Sequence, residues 1–282
     1  MGQLVLAAKV THVPSTFISE MPGPLQGIRD PAIHGLEDIG KKIREACADT
    51  VIMLDTHWLV NAGYHLNACN HFQGLFTSNE FPHFIRDLPY AYEGNPLLGD
   101  AIAEIATSKG VRTRSHHVAT LDVEYGTLVP LHFMRMPSSL KIISVAGWCA
   151  FSSHEESRIV GEAIAEAVEA SSSKVALIAS GSLSHRIHDN ALVEKGTLTI
   201  SDEFYRQVDQ RVIELWQQGR FKEFTSMLPT YAKTCYGEGW MHDTAMLLGA
   251  LGWDKYRGHV EVITPYFESS GTGQLNALFP LQ

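Results

Sequence analysis

The chain has 282 residues, 45% of them apolar and 19% charged, a balance that excludes a disordered protein. A formal net charge of −9 excludes a broad phosphate-binding face, which needs clustered Lys and Arg, so no nucleic acid is expected as partner. No run of about twenty apolar residues occurs, which excludes a membrane-spanning helix.

The apolar run Leu4 to Ala8 is too short for a secretory leader and continues into Lys9 and His12. Position 6 is Leu where a myristoylation signal wants Ser or Thr. Cys47, Cys69, Cys149 and Cys235 are scattered and form no Cys-x-x-Cys pair, the pattern of reduced thiols in a cytoplasmic protein. The length suits one large domain or two small ones. With no low-complexity linker and no repeat of fixed period, one domain over residues 1–282 is expected.

In chain order, Leu4 to Val10 reads as a buried strand that stops at Thr11-His12-Val13-Pro14. Leu36 to Ala48 reads as a helix with Ile39 and Ile43 on one face. Val51 to Leu54 is a second strand, ending in Asp55-Thr56-His57-Trp58. Pro96 to Lys109 is a helix capped by Asn95 and stopped by Gly110. Lys141 to Val145 is a third strand, and Ser153 with Glu156 has the spacing of a capping box before a helix. Val175 to Ala179 is a fourth strand, leading into Ser180-Gly181-Ser182-Leu183-Ser184-His185. Helices are expected over Ser201 to Gln217 and Trp240 to Leu251, and a last strand over His259 to Tyr266. This alternation predicts an α/β fold with a central mixed, largely parallel sheet flanked by helices.

Three of these strand-like runs lead to a histidine: His12, His57 and His185. In open α/β sheets, ligands bind beyond the carboxyl ends of the strands, so separate elements can deliver these side chains to one place. A fourth group is Glu238, a carboxylate between Gly237 and Gly239 where the backbone is free to turn. Two neutral imidazoles and one carboxylate fill one face of an octahedron and leave the opposite face open, the donor set of non-haem Fe(II) oxygenases.

The ordered combination of Thr11-His12-Val13-Pro14-Ser15, Asp55-Thr56-His57-Trp58, Gly181-Ser182-Leu183-Ser184-His185 and Gly237-Glu238 resembles the class III (LigB-type) extradiol ring-cleavage dioxygenases. Leu121 to Leu131, with Tyr125-Gly126-Thr127-Leu128-Val129-Pro130, is a fifth match. Each motif alone is weak; their order along most of the chain is specific. The resemblance implies an oxidoreductase that opens a catechol beside its two hydroxyls and incorporates both atoms of O₂. It implies Fe(II) held by His12, His57 and Glu238, with His185 as the acid–base residue and a homo-oligomer as the assembly. One departure stands out: many family members carry a histidine where this chain has Tyr125. A phenol, with a reference pKa near 10, is a poorer base than imidazole at neutral pH. Proton traffic is therefore expected at His185, with Tyr125 orienting and donating.

Other readings of these residues are ordinary. A lone His after a strand usually caps a loop, and Glu238 suits a helix N-terminus on electrostatic grounds alone. His188 competes with His185, His116 and His117 point to opposite faces if extended, and His242 would consume an open metal position. Trp58 and Trp240 read equally as pocket walls or core. Arg186 adjoins His185 but reads as a surface ion pair and is not counted in the site. Rival functions are the same fold acting on another catechol or 2-aminophenol, a zinc hydrolase using the same donors, and a binding protein with no enzymatic role.

Overall fold

The computed structural model describes residues 1–192 and 196–281. The strands are β1 (Gln3–Val10), β2 (Thr50–Val60), β3 (Tyr64–Asn67), β4 (His71–Phe76), β5 (Leu88–Gly94), β6 (Thr113–His116), β7 (Lys141–Cys149), β8 (Lys174–Ser180), β9 (Glu261–Ser269) and β10 (Thr272–Leu278). The helices are α1 (Asp30–Glu45), α2 (Pro96–Ser108), α3 (Tyr125–Phe133), α4 (His154–Ala170), α5 (Glu203–Gln217), α6 (Phe221–Thr234) and α7 (His242–Leu251).

The strands form one sheet in the order β4-β5-β7-β2-β8-β1-β10-β9, with β3 joined to β7 and β6 to β3. From β5 through β7, β2 and β8 to β1 the neighbours run parallel. β4, β9 and β10 are antiparallel flanks. This is the mixed, largely parallel sheet that the alternating pattern predicts.

The central strands are apolar on both faces because both are covered. Ile52 and Leu54 of β2 face one core with α2, α4 and α7, whereas Val51 and Met53 face the other with α1 and α3. Side chains on adjacent strand positions point to opposite faces, so one continuous run serves both layers. Helix starts follow the local chemistry. The Asn95 side chain accepts from the Leu98 N–H, Ser153 and Glu156 form a reciprocal capping box, and Asp202 accepts from the Phe204 N–H. Each such cap stabilises its helix by about 1 kcal/mol.

Several boundaries differ from expectation. α1 begins six residues earlier than its apolar periodicity, with Pro31 in its first turn, and ends at Glu45. β2 runs on past Asp55 to Val60, with an irregularity against β7 between Asp55 and Leu59. The expected last strand is followed by another, β10, whose residues are all buried. α6 and the β3–β6 pair were not anticipated from periodicity. α7 begins at His242 rather than Trp240, because Gly239, Trp240 and Met241 adopt left-handed backbone, with φ of 54°, 57° and 61°.

Candidate metal centre and its cavity

His12 lies two residues beyond β1, where the Thr11 N–H donates to Asn276 Oδ1 at 3.0 Å and ties the segment to β10. Its ring is 4% exposed, with Nδ1 3.0 Å from Ser180 Oγ at the end of β8. Its Nε2 lies 3.0 Å from Glu238 Oε1. One ring nitrogen is thus oriented by a hydroxyl and the other faces the carboxylate, as is usual for metal-ligating histidines.

Glu238 is buried between glycines, where the chain turns left-handed before α7. Gly239 is required there: a Cβ at that position would lie 2.8 Å from the Gly147 carbonyl oxygen. Thr56 Oγ1 lies 2.9 Å from Glu238 Oε1 and 2.8 Å from the Ser180 carbonyl oxygen, and the Ser182 N–H donates to Oε2. Burial pushes this carboxyl up, but His12, His185 and the Ser182 N–H together outweigh it and hold it well below the usual carboxylate range. Glu238 is therefore an anion in a buried place.

His57 sits in the irregular stretch of β2, the kind of local kink that re-aims a side chain. Its own N–H donates to Asp55 Oδ1 at 2.8 Å. Asp55 is fully buried, and its other oxygen accepts from Thr127 Oγ1 at 2.7 Å, which fixes the start of α3 against β2. Tyr125, the first residue of α3, thereby lies over His57, with ring centroids 3.7 Å apart, and at 5.4 Å from His12. The His57 ring centroid is 6.2 Å from that of His12. Its Nε2 lies 3.4 Å from Glu80 Oε2, while Nδ1 has no hydrogen-bond partner and stands 3.8 Å from Glu124 Oε2. Burial alone would lower this imidazole's pKa; Glu124, Glu80 and Asp55 push it up to about 9.

His185 follows β8 by five residues in an extended segment bridged to Thr272. The Ser182 hydroxyl lies 2.8 Å from His185 Nδ1, and Glu238 Oε2 is 3.5 Å from the same atom. Nε2 is the ring nitrogen not engaged by Ser182. Burial lowers the His185 pKa, which favours the neutral ring. Behind it, Asp209 accepts from the Ser184 N–H and hydroxyl, from Tyr231 at 2.7 Å and from Tyr266 at 2.9 Å. The Tyr125 phenol is buried, and burial together with the nearby carboxylates pushes its pKa up, so it remains protonated and can donate.

His12, His57, Tyr125, His185 and Glu238 all line one cavity of about 540 Å³. Its walls include Phe81, Phe84 and Trp148, and its outer part includes Arg186, Ile187 and Tyr236. Among the described residues, no three His, Cys, Asp or Glu side chains are gathered tightly enough to form a ready ligand set. His12 and Glu238 are paired, while His57 is turned toward Glu80. The donor chemistry nevertheless fits a divalent metal: two imidazoles, an anionic carboxylate held by Thr56 and Ser182, and a buried His57 nitrogen without a partner.

Other sequence candidates lie elsewhere. His116 pairs with His65, nitrogen to nitrogen 2.8 Å, and His117 with Asp100. His188 bonds Thr199, and His242 bonds Ser157 with its pKa lowered to about 3 by burial. Neither Trp58 nor Trp240 lines the cavity; Trp148 does. Glu80, Glu124, Thr56 and Ser182 were not singled out from sequence, although Thr56, Ser182 and Glu124 lie inside or beside the quoted motifs. Arg186, set aside as a surface residue, lines the cavity.

An α/β fold that gathers two imidazoles and a carboxylate in one cavity, beside a neutral histidine and a buried phenol, offers the donor types of a metal-dependent oxygenase. Residues 6–280 match the family described as the catalytic LigB subunit of aromatic ring-opening dioxygenase, and the chain belongs to that family. It is a ring-cleaving oxidoreductase. It is 51% identical over 270 residues to the 3,4-dihydroxyphenylacetate 2,3-dioxygenase of Escherichia coli, covering 96% of this chain and 98% of that one. It is 27% identical to the 2-aminophenol 1,6-dioxygenase beta subunit of a Pseudomonas species, over 71% of this chain and 70% of that subunit. The crystal structure of an uncharacterized protein from Escherichia coli K12 shares the fold, with a TM-score of 0.66 at 12% identity, over 98% of this chain and 100% of that one.

Proposed function

We propose that this chain opens the ring of 3,4-dihydroxyphenylacetate beside its two hydroxyls, giving 5-carboxymethyl-2-hydroxymuconate semialdehyde, with His12, His57 and Glu238 holding Fe(II). The observation that carries this reading is the meeting of all three donors with His185 and Tyr125 in one aromatic-walled cavity. The 51% identity to an enzyme named for that substrate supports the choice among catechols. Fe(II) at these donors supplies a Lewis acid that lowers the pKa of the catechol hydroxyls and a redox path between ring and O₂.

The remaining chemistry falls to the protein. His185, neutral and anchored through Nδ1, takes a hydroxyl proton at Nε2 and returns it later to the developing product. Tyr125 keeps its proton and orients oxygen by donating a hydrogen bond. Phe81, Phe84 and Trp148 stack against the ring and keep bulk water off the reacting face. Thr56 and Ser182 hold Glu238 in place. No helix among the described residues is long and apolar enough to cross a membrane. The reading carries with it a homo-oligomer, as the family resemblance implies, and a cytoplasmic setting, in keeping with the scattered cysteines.

The test is oxygen uptake on adding 3,4-dihydroxyphenylacetate to protein reconstituted anaerobically with Fe(II), beside His12→Ala and Glu238→Ala. Stoichiometric uptake with a yellow product, lost in both folded variants, is expected. Uptake with 2-aminophenol but not with the catechol would replace the substrate. No uptake with any diol or aminophenol, despite bound iron, would overturn the reading.

A further inference from the structure

Among the described residues, eighteen line the cavity, and Arg186 is the only Lys or Arg of these. The carboxylates that line it, Glu80 and Glu238, are already turned toward His57 at 3.4 Å and His12 at 3.0 Å. With the metal donors engaged by the diol, this guanidinium is the side-chain cation left to receive an anionic group on a substrate's tail. Nothing in the ring chemistry calls for a cation there.

The backbone of Arg186 is held, and its side chain keeps only weak polar partners. The His185 N–H donates to the Cys235 carbonyl at 3.2 Å and the His188 N–H to the Ser270 carbonyl at 3.2 Å, which pins the segment on both sides. The guanidinium itself has weak partners: the neighbouring Ile187 carbonyl at 3.2 Å and Asp189 Oδ1 at 3.4 Å. The side chains of Arg186 and Asp189 are 46% and 76% exposed, and such a pair contributes little to stability. Beneath it lies Tyr236, with the guanidinium carbon 5.9 Å from the ring centroid. Tyr236 holds a left-handed backbone, φ 53°, which is costly for a residue with a side chain and is tolerated where the surroundings impose it. A ring held beneath one face of a guanidinium leaves its edge available for a bidentate carboxylate.

We propose that Arg186 is the specificity residue of this cavity, binding the carboxylate of an aryl-acid substrate while the diol turns toward His12 and His185. The inference rests on the reading of the cavity as a catechol site and adds to it the group that recognises the substrate's tail. Arg186 and His185 are consecutive, so one pinned segment carries both the recognition of the tail and the proton transfer at the ring. Arg186 makes no contact with the reacting atoms, and its contribution is to binding.

The experiment compares iron-loaded wild type, Arg186→Leu, Arg186→Lys and Asp189→Ala on 3,4-dihydroxyphenylacetate and on 4-ethylcatechol, which keeps the ring and a tail of similar size without charge. Arg186→Leu should raise KM for the acid by at least about tenfold, the worth of a charged hydrogen-bonded pair, with kcat little changed. Turnover of 4-ethylcatechol should stay within about twofold, Arg186→Lys should fall between, and Asp189→Ala should leave both substrates as in wild type. Calorimetric binding of 4-hydroxyphenylacetate, which has the tail and lacks the diol, should weaken by a similar factor in Arg186→Leu. Equal losses on both catechols would make Arg186 a structural residue, and no change on either would leave it an exposed ion pair; both results overturn the inference while leaving ring cleavage intact. A wild type that turns over neither catechol would instead overturn the proposed function and this inference with it.

Discussion

Lys9 and Asp243 form an ion pair inside the molecule, Nζ to Oδ2 2.6 Å, with neither side chain exposed. Lys9 belongs to β1 and Asp243 to the first turn of α7, so the pair ties the sheet to the helix that follows the Glu238 turn. Removing one partner strands the other charge away from water. Lys9→Met should therefore destabilise the fold by about 3–5 kcal/mol in urea unfolding, and Lys9→Met with Asp243→Leu should recover most of it. A single variant as stable as wild type would show that water reaches the pair.

Thr56 supports Glu238 without being a ligand candidate itself. Thr56→Val keeps the shape and removes the hydroxyl. Chelator competition should show metal affinity reduced roughly 10–100-fold, the usual cost of losing such a partner, with an unchanged circular dichroism spectrum. Unaltered affinity would mean that the Ser182 N–H alone holds the carboxylate.

Tyr125→Phe retains the ring against His57 and deletes only the phenolic proton. In oxygen-uptake assays kcat should fall by about 10²-fold while KM for the catechol stays near wild type. A rise in KM with kcat unchanged would assign the hydroxyl to binding.

Asp209 gives the protein a pH dependence. Burial raises its pKa from 3.8 to about 6 against the four donors that lower it. A carboxyl whose folded pKa lies above its unfolded one contributes stability that is complete below about pH 4 and is lost as pH rises through about 6. Relative to Asp209→Asn, the wild type should lose about 1–1.5 kcal/mol between pH 5 and 7.5. A difference that does not change with pH would show an ordinary carboxylate at this position.

Much of this was legible in the sequence where the signal is local. The apolar runs of β1, β2, β7 and β8 are continuous because both faces of the sheet are covered, and Asn95, Ser153 and Glu156 announce their helices by cap chemistry. His12 and His185, beyond the ends of β1 and β8, and His57, inside the extension of β2, do line one cavity. What escaped depends on distant partners. β10 carries Thr272, Gln274 and Asn276, polar residues that are buried only because they bond Thr11, Ala32 and each other across the molecule. Glu80 reaches His57 from a loop with no motif, and Trp148 lines the cavity because β7 runs four residues past its apolar core. The left-handed turn at Gly239, Trp240 and Met241 was hidden for another reason: local propensity there favours a helix, and tertiary packing overrides it.

The floor of the cavity and its mouth differ in how much sequence change they can absorb. A side chain at Gly126 would come within 2.0 Å of Asp55 Oδ1, one at Gly147 within 2.8 Å of the Asp55 backbone, and one at Gly239 within 2.8 Å of the Gly147 carbonyl oxygen. Asp55, Thr56 and Gly147 link these three glycines beneath His57 and Glu238, so a side chain at any of them displaces its neighbours. At the mouth, Ile187 is 44% exposed and meets no such constraint. A saturation library at Gly126, Gly147, Gly239 and Ile187 should thus divide in two, with almost no survivors at the glycines and broad tolerance at Ile187. Substrate range is free to drift in such a molecule while the ring-opening chemistry stays locked in place.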